Sequence, residues 1–229
     1  DGIRDDLVTG VQTCALPIFQ PGNPSTVQRI FPHEGADHLS YSLPAFDLQF
    51  AFSPTDFTQV NLEVNRLMVS RAIELLAPGG SDHVLDAFCG IGNFSLAIAR
   101  SAGRVTGVEM AEQSVEKARM NARRNGIRNA RFEAMNLYEE NQEIPEISNI
   151  NKVLLDPPRS GAEHLVKVLA STDVERVVYV SCNPATLARD VKILVGQGFH
   201  LRSAGIIDMF PHTTHIESIA LLTRPGQPA

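Results

Sequence analysis

The apolar residues Leu67, Met68, Ile73, Leu75 and Leu76 recur near helical spacing, which predicts a helix over 60–76 that stops at Pro78-Gly79-Gly80. Ahead of it, 46–52 alternates apolar with polar residues, the two-residue period of a strand, and 38–43 is a second β-like run. The two read as a hairpin within a stretch otherwise rich in Pro, Gly, Ser and aromatic residues. Downstream, strands are predicted over 83–87, 104–109, 131–135, 152–156, 176–181, 199–208 and 217–223. Helices are predicted between them, over 93–101, 111–125, 162–170 and 184–194, with Gly126 ending the second. Strands that alternate with helices of this length imply an α/β fold with a doubly wound, mostly parallel sheet. The last two strands read as an antiparallel pair.

A chain of 229 residues, 43% hydrophobic, can bury one substantial core, so a single α/β domain is expected. No apolar run reaches the roughly 18 residues of a membrane span. Three cysteines without paired or metal-ligand spacing argue against a disulfide framework and for a reducing compartment, the cytoplasm. The net charge of −6 runs against phosphate binding, so any basic surface is local or comes from another domain. Lys117, Arg119, Arg123, Arg124, Arg128 and Arg131 form the one basic stretch, and read as a solvated helix face with cations near its C-terminal end. Residues 1–18 (DGIRDDLVTGVQTCALPI) have no clean period and lack the basic start and apolar core of a signal peptide. They read as a non-native leader, which leaves Cys14 without a role. The expected divisions are therefore this leader, a linker and hairpin over 19–55, and a catalytic domain over 56–229.

The chemistry concentrates at strand ends. Asp86-Ala87-Phe88-Cys89-Gly90-Ile91-Gly92-Asn93 follows the first strand of the alternating region, where Gly90 and Gly92 let the backbone approach a ligand closely. The spacing is not GxGxxG, so a pyrophosphate cradle is not expected. Glu109 ends the next strand, placed to accept both hydroxyls of a ribose that lacks a 2′-phosphate. A nucleoside ligand without phosphates points to S-adenosylmethionine over NAD. Asp156-Pro157-Pro158-Arg159 ends a further strand, where ligands of open α/β sheets bind, and its prolines make a rigid rim. Amino-group methyltransferases stack a base on an aromatic after such a di-proline, whereas Arg159 stands here.

Cys182 follows the fifth strand, and Asn183-Pro184 opens the next helix. The dipole and unpaired amides of a helix N-terminus are expected to lower a thiol pKa there, so Cys182 is the candidate nucleophile. Added to carbon 6 of uracil, it would turn carbon 5 into a nucleophile for methylation, and a base must then remove the carbon-5 proton. Glu217, on the last strand pair, is the candidate base. Cytosine chemistry asks for an acid at ring nitrogen 3 and often a second cysteine, and neither is evident. His212, His215 and Glu217 lack the helical frame of a zinc site, so no metal is expected. Cys89 reads as a small packing residue.

The blocks 56–61 (DFTQVN), 86–93, 156–159 (DPPR), 181–190 (SCNPATLARD) and 209–217 (MFPHTTHIE) resemble the RNA uracil-5-methyltransferases, over roughly 19–225. The resemblance is nearest to members that act on 23S ribosomal RNA and carry a TRAM domain and an iron–sulfur centre. It implies a class I, Rossmann-like S-adenosylmethionine-dependent fold, with cofactor contacts at Gln59, Phe88, Gly90, Asn93, Glu109, Asn136 and Asp156. It also implies Cys182 as nucleophile, Glu217 as base, a flipped uridine as target and RNA as partner. The chain shows no TRAM-type barrel and no cysteine set for the cluster, so neither is expected in it, nor is an obligate protein partner, and it is expected to be a monomer. Three readings stay open beside 23S rRNA methylation: a tRNA-directed member, an amino- or cytosine-directed methyltransferase, and a catalytically silent RNA-binding fragment.

Overall fold

The computed structural model describes residues 18–19, 29–31, 38–139, 144, 146–169 and 171–226. The expected leader, apart from Ile18, lies outside them. Two short strands that the periodicity does not predict, β1 (Ile18–Phe19) and β2 (Arg29–Phe31), pair antiparallel. The expected hairpin forms from β3 (Leu39–Leu43) and β4 (Leu48–Phe52), joined by a 3-10 turn over Pro44–Phe46.

The main sheet has seven strands: β5 (His83–Ala87), β6 (Arg104–Glu109), β7 (Ala130–Ala134), β8 (Lys152–Leu155), β9 (Arg176–Ser181), β10 (His200–Ile207) and β11 (Glu217–Thr223). Their order across the sheet is β10-β11-β9-β8-β5-β6-β7. All neighbours pair in parallel except β11, which runs antiparallel to both β9 and β10. After β7 the chain crosses back to the far side of β5, so the order reverses between β5 and β8. That crevice, outside the carboxyl ends of the strands, is where such sheets bind ligands.

Helices α1 (Leu62–Leu76), α2 (Ser95–Ala99) and α3 (Glu112–Arg124) cover one face, and α4 (Glu163–Leu169) and α5 (Pro184–Gly196) the other. The central strands show why their apolar runs are unbroken: Val178 and Val180 of β9 enter the first core, Val177 and Tyr179 the second. In β11 Ile219 and Leu221 take the first, Ala220 and Leu222 the second. A strand covered on both faces must be apolar at every position. Helix α2 starts later than expected because Gly90 and Gly92, at φ 53° and 92°, keep the chain in a turn up to Phe94, and it gives way to a turn after Ala99.

The hairpin is part of the first core, with Leu43, Leu48 and Phe50 fully buried there. Two side-chain amides of α3 act as its missing neighbouring strand. Asn121 accepts from Ala51 N at 2.9 Å and donates to Ala51 O at 3.2 Å, and Asn125 does the same for Gln49 at 2.8 Å each. Asn121 is buried, Asn125 accessible, so the two should differ in worth. Asn121→Ala strands buried backbone groups and is expected to lower stability by about 2–3 kcal/mol in urea unfolding, against under about 1 kcal/mol for Asn125→Ala. Equal effects would refute the assignment of the hairpin's docking to the buried amide.

Candidate active site

A cavity of about 690 Å³ opens at the carboxyl ends of β5, β6, β8 and β9, within the range of small-molecule sites. Gln59, Phe88, Gly90, Asn93, Glu109, Asp156, Cys182 and Glu217 all line it. Asn136 does not, although its neighbours Met135 and Leu137 do. Its side chain accepts from Tyr138 N at 3.1 Å and donates to Glu139 at 3.0 Å, holding the turn after β7.

The glycine loop and Glu109 form one unit. Oε2 of Glu109 accepts from Gly90 N at 3.2 Å, and Oε1 accepts from Met110 N and Ala111 N at 2.8 and 3.1 Å. Three amides fix the carboxylate and leave Oε2 a lone pair for a hydroxyl. Phe88 sits at φ 67°, a costly conformation for an aromatic residue of the kind that clusters at functional sites. Its ring meets Tyr138 at 5.7 Å between centroids, and the two wall one side of the cavity. Beneath the loop, Asp86 is fully buried, bonded through Oδ2 to the Ser95 hydroxyl, with no partner for Oδ1 among the described residues. Burial pushes its carboxyl up to about 7.

The motif blocks divide into residues that face the cavity and residues that hold those in place. In DFTQVN, Asp56 accepts from Ser53 N at 2.6 Å and lies 3.8 Å from Lys117, while Asn61 caps α1 through Val64 N. Gln59, held between these anchors, reaches the cavity. In SCNP, Asn183 caps α5 by accepting from Ala185 N at 3.1 Å and donates to the Arg159 carbonyl at 3.0 Å, which Thr186 also contacts. Further along α5, buried Asp190 accepts from Tyr179 Oη at 2.6 Å and Ala162 N at 2.7 Å, and Arg189 donates to Ser160 O at 2.9 Å. The DPPR loop is thus clamped by the helix that follows the nucleophile candidate.

Strand β11 supplies the last component. Because it runs antiparallel, its first residue stands at the carboxyl ends of its neighbours, and the pairing of Ser218 with Ser181 sets Glu217 beside the start of the Cys182 loop. Glu217 is buried, and burial pushes its carboxyl up to about 7, opposed by the Arg159 guanidinium. Among the described residues that line the cavity, Arg159 is the only cation, and it donates to Nδ1 of His215 at 3.0 Å.

One electrostatic expectation is corrected here. The Cys182 thiol is pushed up, not down, by burial first and then by the carboxylates of Glu217 and Asp156, with Arg159 opposing. Asn183, not the thiol, takes the first free amide of α5, so the helix terminus does little for Cys182. Among the described residues, no three His, Cys, Asp or Glu side chains are arranged to hold a metal ion. Nor is any described helix long and apolar enough to cross a membrane.

The tRNA (uracil-5-)-methyltransferase family profile matches residues 33–225. The chain belongs to that family. Proteins of Alcanivorax borkumensis and Legionella pneumophila named 23S rRNA (uracil(1939)-C(5))-methyltransferase RlmD are 48% and 52% identical to it over 207 and 212 residues. Each alignment covers 90% of this chain but 46% and 47% of the relative, so the chain spans about half the length of the curated relatives it matches. Among solved structures, the Pyrococcus abyssi tRNA (uracil-54, C5)-methyltransferase in complex with S-adenosyl-L-homocysteine is 32% identical at a TM-score of 0.73, covering 83% of this chain and 45% of that one. M. jannaschii TYW2 in complex with AdoMet shares the fold at a TM-score of 0.63 and 12% identity, covering 91% of this chain and 93% of that one. The fold is that of the S-adenosylmethionine-dependent methyltransferases. Two further residues of this family member border the cavity system without having been singled out by motif: Tyr41 lines it, and Asn65 holds Asn93. Only their distant positions in sequence, 52 and 28 residues from Asn93, kept them hidden.

Proposed function

We propose that this chain holds the catalytic domain, over 56–229 and completed by the hairpin packed into its core, of an S-adenosylmethionine-dependent methyltransferase that makes 5-methyluridine in 23S ribosomal RNA. The observation that carries the reading is the convergence of Cys182 and Glu217 on one cavity with the Gly90–Glu109 loop. The cavity fits a nucleoside cofactor: Glu109 offers an acceptor for ribose hydroxyls, Phe88 an apolar wall, and among the described residues no cluster of cations lines it for phosphates. When bound, that cofactor supplies an electrophilic methyl group at a sulfonium. Gln59, Phe88, Gly90, Asn93, Glu109 and Asp156 hold it, and the protein acts as a cytoplasmic monomer.

Cys182, as thiolate, adds to carbon 6 of a flipped uridine, and the ring's electrons move toward carbon 5 and oxygen 4. Arg159, the lone cation of the cavity, stabilises the thiolate and the charge that develops on the ring. Carbon 5 is then nucleophilic toward the methyl that the bound cofactor would supply, whose carbon–sulfur electron pair would stay on the departing neutral thioether. Glu217 removes the carbon-5 proton, the double bond re-forms, and the thiolate is expelled. The buried Glu217 carboxyl is matched to this work, since a base titrating near neutral pH both accepts and releases a proton readily. The 48–52% identity to proteins named for 23S rRNA, against 32% to one named for tRNA, favours the ribosomal substrate.

Intact-mass spectrometry of the protein mixed with S-adenosylmethionine and a 23S-derived hairpin containing 5-fluorouridine tests the reading. Fluorine cannot leave as a proton, so an adduct of protein, RNA and methyl is expected, mapped to Cys182. An adduct on another residue, or methylation at an exocyclic amine of an unsubstituted hairpin, would overturn it.

A further inference from the structure

Asn93 is held in a network that leaves it a single free hydrogen-bonding group. Its Oδ1 accepts from the Tyr41 hydroxyl at 2.9 Å and from Asn65 Nδ2 at 3.1 Å, which fills both lone pairs of that oxygen. Its Nδ2 donates one hydrogen to Asn65 Oδ1 at 2.9 Å, so the two amides face each other reciprocally. Such an amide pair reads equally well with both side chains turned over, unless a third group breaks the symmetry. Tyr41 breaks it. Burial pushes its phenol well above the ordinary range, so the hydroxyl always carries its proton and always needs an acceptor. Turning the pair over would make Asn93 Nδ2 donate to the Tyr41 oxygen and take away Asn93 Oδ1, the acceptor of the Tyr41 hydrogen. The second Nδ2 hydrogen of Asn93 therefore remains for the cavity, which Asn93 lines.

Tyr41 comes from β3 and is itself locked, its ring stacked on buried Phe50 at 4.8 Å and 5° between planes. Asn65 comes from α1 and is 2% exposed. Two rigid elements thus fix the sense of one amide in the ligand loop. A fixed N–H selects an acceptor on the ligand. The ribose hydroxyls are drawn to the acceptor Glu109, and the cavity is otherwise lined by the carboxylates of Asp56, Glu109, Asp156 and Glu217. Arg159, the cation of the lining, is engaged with His215 and stands against Glu217 and Cys182, so a ligand carboxylate at Asn93 is left to neutral donors.

We propose that Tyr41 and Asn65 are positioning residues that lock Asn93 as a one-hydrogen donor to the carboxylate of the cofactor's amino-acid tail. The inference rests on the cofactor reading above. It predicts a sign as well as a site: the hairpin acts on the tail of the ligand and not on its nucleoside.

Isothermal titration of the chain with S-adenosylhomocysteine and with 5′-methylthioadenosine, which shares the nucleoside and lacks the tail, tests this. Tyr41→Phe keeps the stacked ring and removes only the donor. It should weaken S-adenosylhomocysteine about five- to tenfold, the worth of one hydrogen bond, and leave methylthioadenosine within about twofold. Asn93→Asp, which sets a carboxylate against the tail, should weaken the first ligand further and again spare the second. Equal weakening of both ligands, or of neither, overturns the positioning role while the cofactor reading stands. Failure of the unaltered protein to bind S-adenosylhomocysteine overturns the cofactor reading and this inference together.

Discussion

Cys182→Ala is expected to lower methylation of a 23S-derived hairpin by at least about 10⁴-fold, the scale on which loss of a covalent nucleophile is felt. Binding of S-adenosylhomocysteine should stay within about twofold, because the Glu109 and Asn93 side of the cavity does not involve the thiol. The thiol is half-buried and makes no hydrogen bond that organises the loop; Ser181 and Asn183 do that, with Oγ of Ser181 accepting from Asn183 N at 3.1 Å. Thermal unfolding should therefore change little. Product nucleoside analysis and titration calorimetry give the two readouts, and equal loss of both would show that Cys182 is a structural residue.

Glu217→Gln should produce the other large effect, and one of a different kind. The amide has the shape of the carboxyl but cannot accept the carbon-5 proton, so turnover falls by about 10²–10⁴-fold while addition by Cys182 proceeds. A covalent protein–RNA complex is expected to accumulate on ordinary, unfluorinated substrate and to appear as a retarded band on a denaturing gel. The pH dependence carries the same assignment. Burial raises Glu217 from the usual carboxylate range to about 7, and only the ionised form is a base. Proton removal should therefore rise with pH through about 7 and be lost below it. Cys182 acts in the same direction but at the earlier step, since its raised thiol pKa makes adduct formation faster as pH rises. Following adduct formation and product release separately resolves the two. A Glu217→Gln protein that turns over like the unaltered one, without trapped complex, would remove Glu217 from the reaction.

The corrected sign at Cys182 bears on how such sites are read. A cysteine one residue ahead of a helix suggests a stabilised thiolate when only its own segment is considered. In the folded protein the cap residue Asn183 occupies the helix terminus, and two carboxylates from other elements face the sulfur. The site's electrostatics are set by Asp156 and Glu217 against Arg159, two residues of the loop after β8 and the first residue of β11.

Local periodicity was enough for the strands and helices of the main sheet and for the hairpin, though not for β1 and β2. The runs of Val and Leu in β9 and β11 and the spacing of Leu and Met in α1 state how each segment buries its surface, and that is a property of neighbouring residues. The shared placement of Glu109, Asp156 and Cys182 was legible for the same reason, because each stands at a strand end and the ends of parallel strands share one side of a sheet. The DFTQVN, DPPR and SCNP blocks made the family visible but not the division of labour within them, since a cap such as Asn61 and a cavity-facing residue such as Gln59 look alike in one dimension. Three features needed the tertiary structure: the insertion of antiparallel β11 that brings Glu217 to Cys182, the docking of the hairpin through Asn121, and the Tyr41–Asn65–Asn93 network. Each depends on contacts between residues tens of positions apart. Periodicity records which face of a segment is buried and says nothing about which segment buries it, so sheet order and the charges that meet across it are decided only when the chain packs.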